Sequence, residues 1–445
     1  MHVDRRLIVN FLYSFIGAIV PAVLLIVTVP LYLKLVGEGR YGVLSLIWLL
    51  FGYLGLFDFG LSRATAQRLA SLRLASFEKR NSVFVSALML NFMLGAAIGL
   101  IFFVFAGPMA SLLTSKNGAF ARELADALPY VALLFPFALV SNVFVGRLEA
   151  EERFGGLNNV QILGNIAIQT FPLLFVHLWG VNIKVAVLGV IAARALTILL
   201  TMMMVGSVQF RPGSFDRDEA RHLLSFGVWV SISNVVSPIL VSIDQFLIGY
   251  LLGNRAVAHY AVPFNVVMRL LIAPTALIRV MFPRMSALSW QEANGLAGKV
   301  LPVVSLVMAC LCTVTMLFSD IGLRLWVGRD FATEASGVAD ILLFGVWANG
   351  IAFIPYGLLH AQAKARVVAI IHVAEILPFL FILYASVIVF GLKGAAAAWS
   401  VRVFVDAVLL FVASGLSPRL LMKTALPILL FLACYMGKLH YQGIL

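Results

Sequence analysis

The sequence predicts an all-α polytopic membrane protein: about 12 transmembrane helices in two six-helix lobes related by a parallel pseudo-two-fold, plus a short C-terminal apolar segment. Three observations predict it. First, 62% of the 445 residues are hydrophobic and only 12% charged, against about 25% charged in a soluble domain. Second, apolar runs of about 20 residues or more follow one another along the chain, each long enough for a helix to cross a hydrocarbon core of roughly 30 Å. They do not show the short alternating pattern of a membrane β-barrel. Third, the first half of the chain recurs in the second.

The elements follow in order. An apolar run from Leu7 to Leu35 is too long for a signal peptide and lacks a small-residue cleavage site, so it reads as a retained first span. A Gly-rich turn, Gly37-Glu38-Gly39-Arg40, separates it from a second run that leaves Tyr41 and ends in Asp58-Phe59-Gly60-Leu61. This hairpin is the repeating unit. With the first two at 8–34 and 41–62, spans are predicted over 82–107, 127–146, 158–180, 185–208, 223–251, 258–283, 299–318, 338–360, 367–390 and 394–415. The organisation is then an N-lobe over 1–210, a cytoplasmic linker over 211–222, a C-lobe over 223–416 and a tail over 417–445. Asp216–Arg221 in the linker reads as a short surface helix, and Ser319–Val338 as a modest acidic loop outside. Ala425–Gly437 is left open between a half-helix, a surface helix and a clipped thirteenth span.

The net charge of +12 is not a nucleic-acid footprint. About eighteen Lys and Arg residues sit in one set of alternate connections, among them Arg5, Arg6, Arg68, Arg73, Lys79, Arg80, Arg147 and Arg153, against about nine in the other. That asymmetry places the N-terminus in the cytoplasm. The clusters Arg63–Arg80 and Arg279–Arg284 are expected at anionic lipid head groups. Cys310, Cys312 and Cys434 lie in apolar runs and are expected to pack as small hydrophobes.

Ser14 and Pro21 match Ser231 and Pro238, and Tyr41-Gly42-Val43 matches Tyr260-Ala261-Val262. Arg68 matches Arg284, Gln169 and Pro172 match Glu375 and Pro378, and Arg194 matches Arg402, all at offsets between 206 and 219. An even number of spans per half makes the repeat parallel and puts the expected substrate site at the lobe interface.

Arg194, Asp244, Arg269, Glu375, Arg402 and Asp406 fall near the middle of spans, where each costs about 2.5–3.5 kcal/mol. They must face each other or a wet cavity. Asn234, Ser237 and Asp244 share one helix face, as do Asn265, Arg269 and Arg279. Pro21, Pro172, Pro238, Pro274 and Pro378 interrupt spans, as in helices that bend around a cavity. Arg194, Arg269 and Arg402, with Arg279 and Asn265, are the candidates for an anionic head group, which guanidinium binds bidentately. Asp244, Glu375, Asp406 and Asn234 are the candidates for a coupling cation, H+ or Na+, or for gating. The alternative is a set of internal locks, for which Arg402 and Asp406, at i and i+4, are well spaced. Asp58 with Arg63 is expected to fix the cytoplasmic gate at the end of the second span. No loop is large enough for an extramembrane catalytic module, and the chain has no zinc helix motif, P-loop, nucleophile elbow or dinucleotide fingerprint. A non-enzymatic protein without metal or cofactor is expected.

The run Pro30…Leu35-Val36-Gly37…Tyr41-Gly42…Asp58-Phe59-Gly60-Leu61…Arg63 resembles the opening of the polysaccharide transporter branch of the multidrug/oligosaccharidyl-lipid/polysaccharide exporter superfamily. So do Arg147–Phe154, Phe282-Pro283, Gly357…Ala361-Gln362-Ala363-Lys364 and Gly391…Gly394-Ala395-Ala396, the resemblance spanning residues 10–415. It implies two lobes around a V-shaped cavity in the bacterial inner membrane, exporting undecaprenyl-pyrophosphate-linked oligosaccharide for O-antigen, capsule or exopolysaccharide by alternating access. Lipid-linked oligosaccharide, the bilayer and a polysaccharide polymerase machinery are the partners this implies. The rival expectations are a cation-coupled multidrug antiporter of the same superfamily and a membrane polysaccharide polymerase.

Overall fold

The computed structural model describes residues 5–53, 61–72, 75–113, 120–151, 153–205, 215–221, 242–362 and 364–441. Among these residues every regular element is helical, and eight helices are long and apolar enough to cross a membrane. Of the predicted seventh span only its last part is described; 222–241 lie outside the described residues. The chain divides into two compact units, Met1–Ser242 with Gly253–Arg255 and Ile243–Leu252 with Ala256–Leu445.

In the first unit, α1 (Arg5–Tyr53) holds the predicted hairpin turn as a kink at Gly37, with φ 79°. A side chain there would meet the left-handed penalty that glycine avoids. α2 (Leu61–Ser71) and α3 (Phe77–Val104) follow, and Ser76 caps α3 by accepting from the Lys79 amide. After α4 (Ala106–Leu113), the span predicted over 127–146 is built from α5 (Ala121–Ala132) and α6 (Leu134–Ala150). Pro136 has no N–H for the Ala132 carbonyl, so the hydrogen-bond ladder breaks around Leu133. α7 (Phe154–Trp179) and α8 (Ile183–Val205) turn at Gly180. α3 packs on α6 and α7 on α8. Phe84, Phe144, Leu148 and Val83 form the core at the end where α2 meets α3. In lipid, such contacts stabilise through close packing rather than through exclusion of water.

The predicted helix near Asp216 is docked, not loose on the surface. Arg68 donates to both Glu219 oxygens, at 2.6 and 2.8 Å, and Lys79 bridges Asp216 and Glu219 at 3.2 and 2.9 Å. Ser86 Oγ accepts from the Asp216 amide at 2.8 Å. The Arg68 guanidinium holds the Glu219 carboxyl well below its ordinary range, at about 2.

α9 (Ser242–Leu252) and α10 (Asn254–Val267) supply the start of the second unit, apart from Ser242 and the turn at Gly253–Arg255, which group with the first. A 3₁₀ turn, Met268–Leu271, leads into α11 (Ile272–Ala287). Pro274 cannot donate to the Leu270 carbonyl, which accounts for the tightened turn. α12 (Trp290–Val327) starts on a Ser289–Glu292 capping box, and α13 (Arg329–Ala361) follows after one residue, Gly328, with φ 104°. The loop expected over 319–338 is therefore helix on both sides of a single turn residue. Its charged residues sit where the helices project past their apolar stretches. α14 (Ala365–Ala413) joins the predicted eleventh and twelfth spans across a kink at Gly391. The turn glycines recur: Gly253 lies 216 residues after Gly37, and Gly391 lies 211 after Gly180.

The tail, α15 (Pro418–Ala425) and α16 (Pro427–Tyr441), runs beside α12. Asn294 donates to the Ser414 carbonyl, Ser305 to the Thr424 carbonyl, and Lys438 to the Met316 carbonyl. Both partners advance together, from 294 to 316 and from 414 to 438, so the tail runs parallel to α12 over about 33 Å at 1.5 Å per residue. That length matches a hydrocarbon core. Length alone left the segment open because Arg419, Lys423 and Thr424 shorten its apolar run; the two helices that meet at Leu426 lie along α12 together. Cys312 is buried as expected, but Cys310 is exposed, since residues two apart on a helix point different ways.

Candidate functional site

In the second unit, one polar cluster gathers four of the predicted residues. α14 folds back at Gly391, bringing Arg402 Nη1 to 3.6 Å from Glu375 Oε2 and Asp406 Oδ1 to 3.4 Å from His372 Nε2. The i, i+4 pair of Arg402 with Asp406 is thus replaced by pairs across the fold. Arg402 also lies over the Phe379 ring, 5.3 Å from its centre. From α9, Asp244 is within electrostatic reach of Arg402 and accepts from the Tyr260 hydroxyl and the Gln245 amide.

The cluster is short of positive charge. Three buried carboxyls, Asp244, Glu375 and Asp406, face one guanidinium and one imidazole. Both Glu375 oxygens, Asp406 Oδ1 and Arg402 Nε are buried without a hydrogen-bond partner among the described residues. Desolvated oxygens of this kind are costly until a proton or a metal cation reaches them.

Arg269 stands apart from these acids, in the 3₁₀ turn created before Pro274, with Asn265 half-buried one helical turn earlier. Its Nε is buried with no hydrogen-bond partner among the described residues. In the first unit, Arg194 on α8 is in the same condition, its Nε buried and unpaired among the described residues. Two threonines on the following turns of α8 are already satisfied: Thr197 donates to the Ala193 carbonyl and Thr201 to the Thr197 carbonyl. On α7, the Gln169 carbonyl accepts from Tyr32, while Gln161 and Asn165 are exposed.

Asp58 and Asn234 lie outside the described residues, and so do the side chains of Arg63 and Arg279. Two functional partners escaped the sequence reading, Tyr260 and His372. His372 stands three residues before Glu375, on the same helix face, and that spacing was the available signal. Tyr260 contacts Asp244 across a turn and had none beyond its place in the repeat.

Comparison with known proteins decides the family. Residues 34–336 match the family described as polysaccharide biosynthesis protein. The chain belongs to that family. It is a multi-pass membrane transporter of the polysaccharide transporter branch. A Shigella flexneri protein named "Putative O-antigen transporter" is 30% identical over 91% of this chain and 96% of its own length. The Staphylococcus aureus multidrug export protein MepA is 24% identical over 69% of this chain and 71% of its own. Among solved structures, the lipid II flippase MurJ in an inward closed conformation superposes with a TM-score of 0.76 at 14% identity, covering 97% of this chain and 93% of its own. An inward-facing multidrug resistance MATE family transporter gives 0.73 at 15% identity, covering 91% and 98%. The fold is that of these transporters.

Proposed function

We propose that this chain flips polyprenyl-pyrophosphate-linked oligosaccharide repeat units across the bacterial cytoplasmic membrane by alternating access, for cell-surface polysaccharide biosynthesis, with its N-terminus in the cytoplasm. One observation carries the reading. Arg194 and Arg269 each place a guanidinium inside a span with a buried, unpaired Nε and no acid bridging it among the described residues. At a cost of about 2.5–3.5 kcal/mol each on insertion scales, such groups need an anion that arrives with the cargo. Pyrophosphate offers forked oxygens that match guanidinium bidentately. Kinship to the Shigella flexneri protein supports an O-antigen type of cargo, and likeness to a lipid II flippase supports a flipping motion.

Asn265 and Arg279 extend the anion subsite. Asp244, Glu375 and Asp406, with Asn234, take up the coupling cation, H+ or Na+, because their cluster lacks positive charge. Asp58 and Arg63 form the gate on the cytoplasmic side, and a polymerase machinery receives the product. The acid excess of that cluster and the kinship to MepA favour one second reading, a cation-coupled multidrug antiporter.

Depletion of the protein is expected to accumulate lipid-linked repeat units on the cytoplasmic leaflet, and purified protein in liposomes to move them across. Failure to move such a lipid, together with drug efflux in a sensitised strain, refutes the flippase in favour of the antiporter.

A further inference from the structure

A groove of about 770 Å³ opens on the first unit between α3, the α5–α6 break and the α7–α8 turn. Its volume falls in the range of ligand pockets, about 300–1,000 Å³. Two glycines and a proline make it. A Cβ on Gly99 would lie 2.6 Å from the Ala132 carbonyl oxygen, and one on Gly95 would lie 2.6 Å from Pro136 Cα. α3 therefore rests directly on the backbone of the broken helix, and beside that contact no side chain fills the space.

The walls are hydrocarbon. Leu100, Phe103 and Leu133 line the groove and are 63%, 57% and 51% exposed on spans long enough to cross the membrane, so their surroundings are lipid. Water has too few polar partners along these walls to fill them. At the end opposite Arg68 and Lys79, the mouth is polar. Lys184 Nζ sits 4.7 Å from the centre of the Tyr130 ring, and Asp126 stands within electrostatic reach of Lys184 without forming an ion pair. The mouth thus presents one half-exposed cation, held beside the Tyr130 hydroxyl, and one exposed anion, with no ion pair between them among the described residues. A head group carrying one of each, with a primary ammonium able to donate, complements it.

We propose that this groove holds one membrane glycerophospholipid with a phosphoethanolamine head group. Its phosphate meets Lys184, its ammonium meets Asp126, and one acyl chain lies along Phe103, Leu100 and Ala96 towards Pro136. From Phe103 to Ala96 the helix rises about 10 Å, room for some eight methylene groups. The choice of phosphoethanolamine rests on the paired charges. A head group with only a negative charge leaves Asp126 opposed to it, and a trimethylated ammonium cannot donate to the carboxylate. The site is independent of the cargo proposed above.

Native mass spectrometry of the full-length protein in mild detergent tests it, with phosphatidylethanolamine, phosphatidylcholine and phosphatidylglycerol added singly. The wild type is expected to retain one phosphatidylethanolamine about tenfold more tightly than phosphatidylcholine. Asp126→Asn is expected to erase that preference, and Ala96→Trp, which fills the groove from an exposed position, to lower retention of all three lipids about tenfold. Each variant is first required to elute as a single species with wild-type helicity. Equal retention of the three lipids by the wild type, or retention unaltered by Ala96→Trp, overturns the proposal and leaves only non-specific annular lipid.

Discussion

Replacing Lys438 by Met removes the ammonium that ties α16 to the rest of its bundle. Nζ lies 2.9 and 2.7 Å from the two Asp340 oxygens, 2.7 Å from Ser319 Oγ and 2.9 Å from the Met316 carbonyl. Three N–H donors thus serve four acceptors, and Ser319 itself donates to Asp340 at 2.7 Å. Asp340 is only 4% exposed, so the variant leaves a buried carboxylate with one hydroxyl for company. Removing one partner of such a pair costs about 3–5 kcal/mol, because the other charge stays desolvated. At about 2–4 °C per kcal/mol for a bundle of this size, the unfolding midpoint is expected to fall by roughly 6–20 °C. Lys438→Met combined with Asp340→Asn removes both charges and is expected to recover most of the loss. The assay is tryptophan fluorescence of the purified protein in detergent during heating. A fall under about 2 °C for the single variant, or a double variant as unstable as the two singles added together, refutes the coupling inferred from the geometry.

Arg194→Ala and Arg269→Ala are each expected to reduce flipping in liposomes by tenfold to a hundredfold, about 1.4–2.8 kcal/mol, without lowering expression; Arg194→Lys keeps the charge but not the fork and should fall between. Full activity in either Ala variant would remove the anion subsite. The linker helix should loosen in acid: with the Glu219 carboxyl depressed to about 2 from 4.5, its contribution is complete above pH 4.5 and fades as pH falls towards about 2. Hydrogen exchange of residues 217–221 should rise over that window, and Glu219→Gln should exchange fast throughout. Tags at the two termini are expected on opposite membrane faces, because the tail runs parallel to α12 over about 33 Å; protection of both tags from protease added on one side would contradict a crossing tail.

Much of the fold was legible in the chain because each span carries its own evidence. A run of apolar residues long enough to satisfy every backbone group inside lipid must be a helix, wherever its neighbours lie. Gly37 and Gly391 marked turns for a similarly local reason, since only glycine adopts their positive φ cheaply. The sequence did not show the break between α5 and α6, where a prolyl residue interrupts the predicted span without ending it, and it left the tail open, where two helices meet at Leu426. The candidate charges were legible as well, because an ionised group in a span is expensive enough to need a purpose.

Who meets whom was not. Local spacing offered Arg402 the acid one turn away, Asp406, yet the fold at Gly391 brought Glu375 to Arg402 and His372 to Asp406. Arg68 reached across 151 residues to Glu219, and Lys438 across 98 to Asp340. The sequence by itself determined the membrane-spanning helical class and which residues bear costly charge, since these depend on side-chain chemistry and a 3.6-residue period. Only the tertiary structure decided which charges are paired and which arginines keep a buried, unpartnered Nε among the described residues, because helix crossings, and not distance along the chain, set the partners a desolvated group can reach.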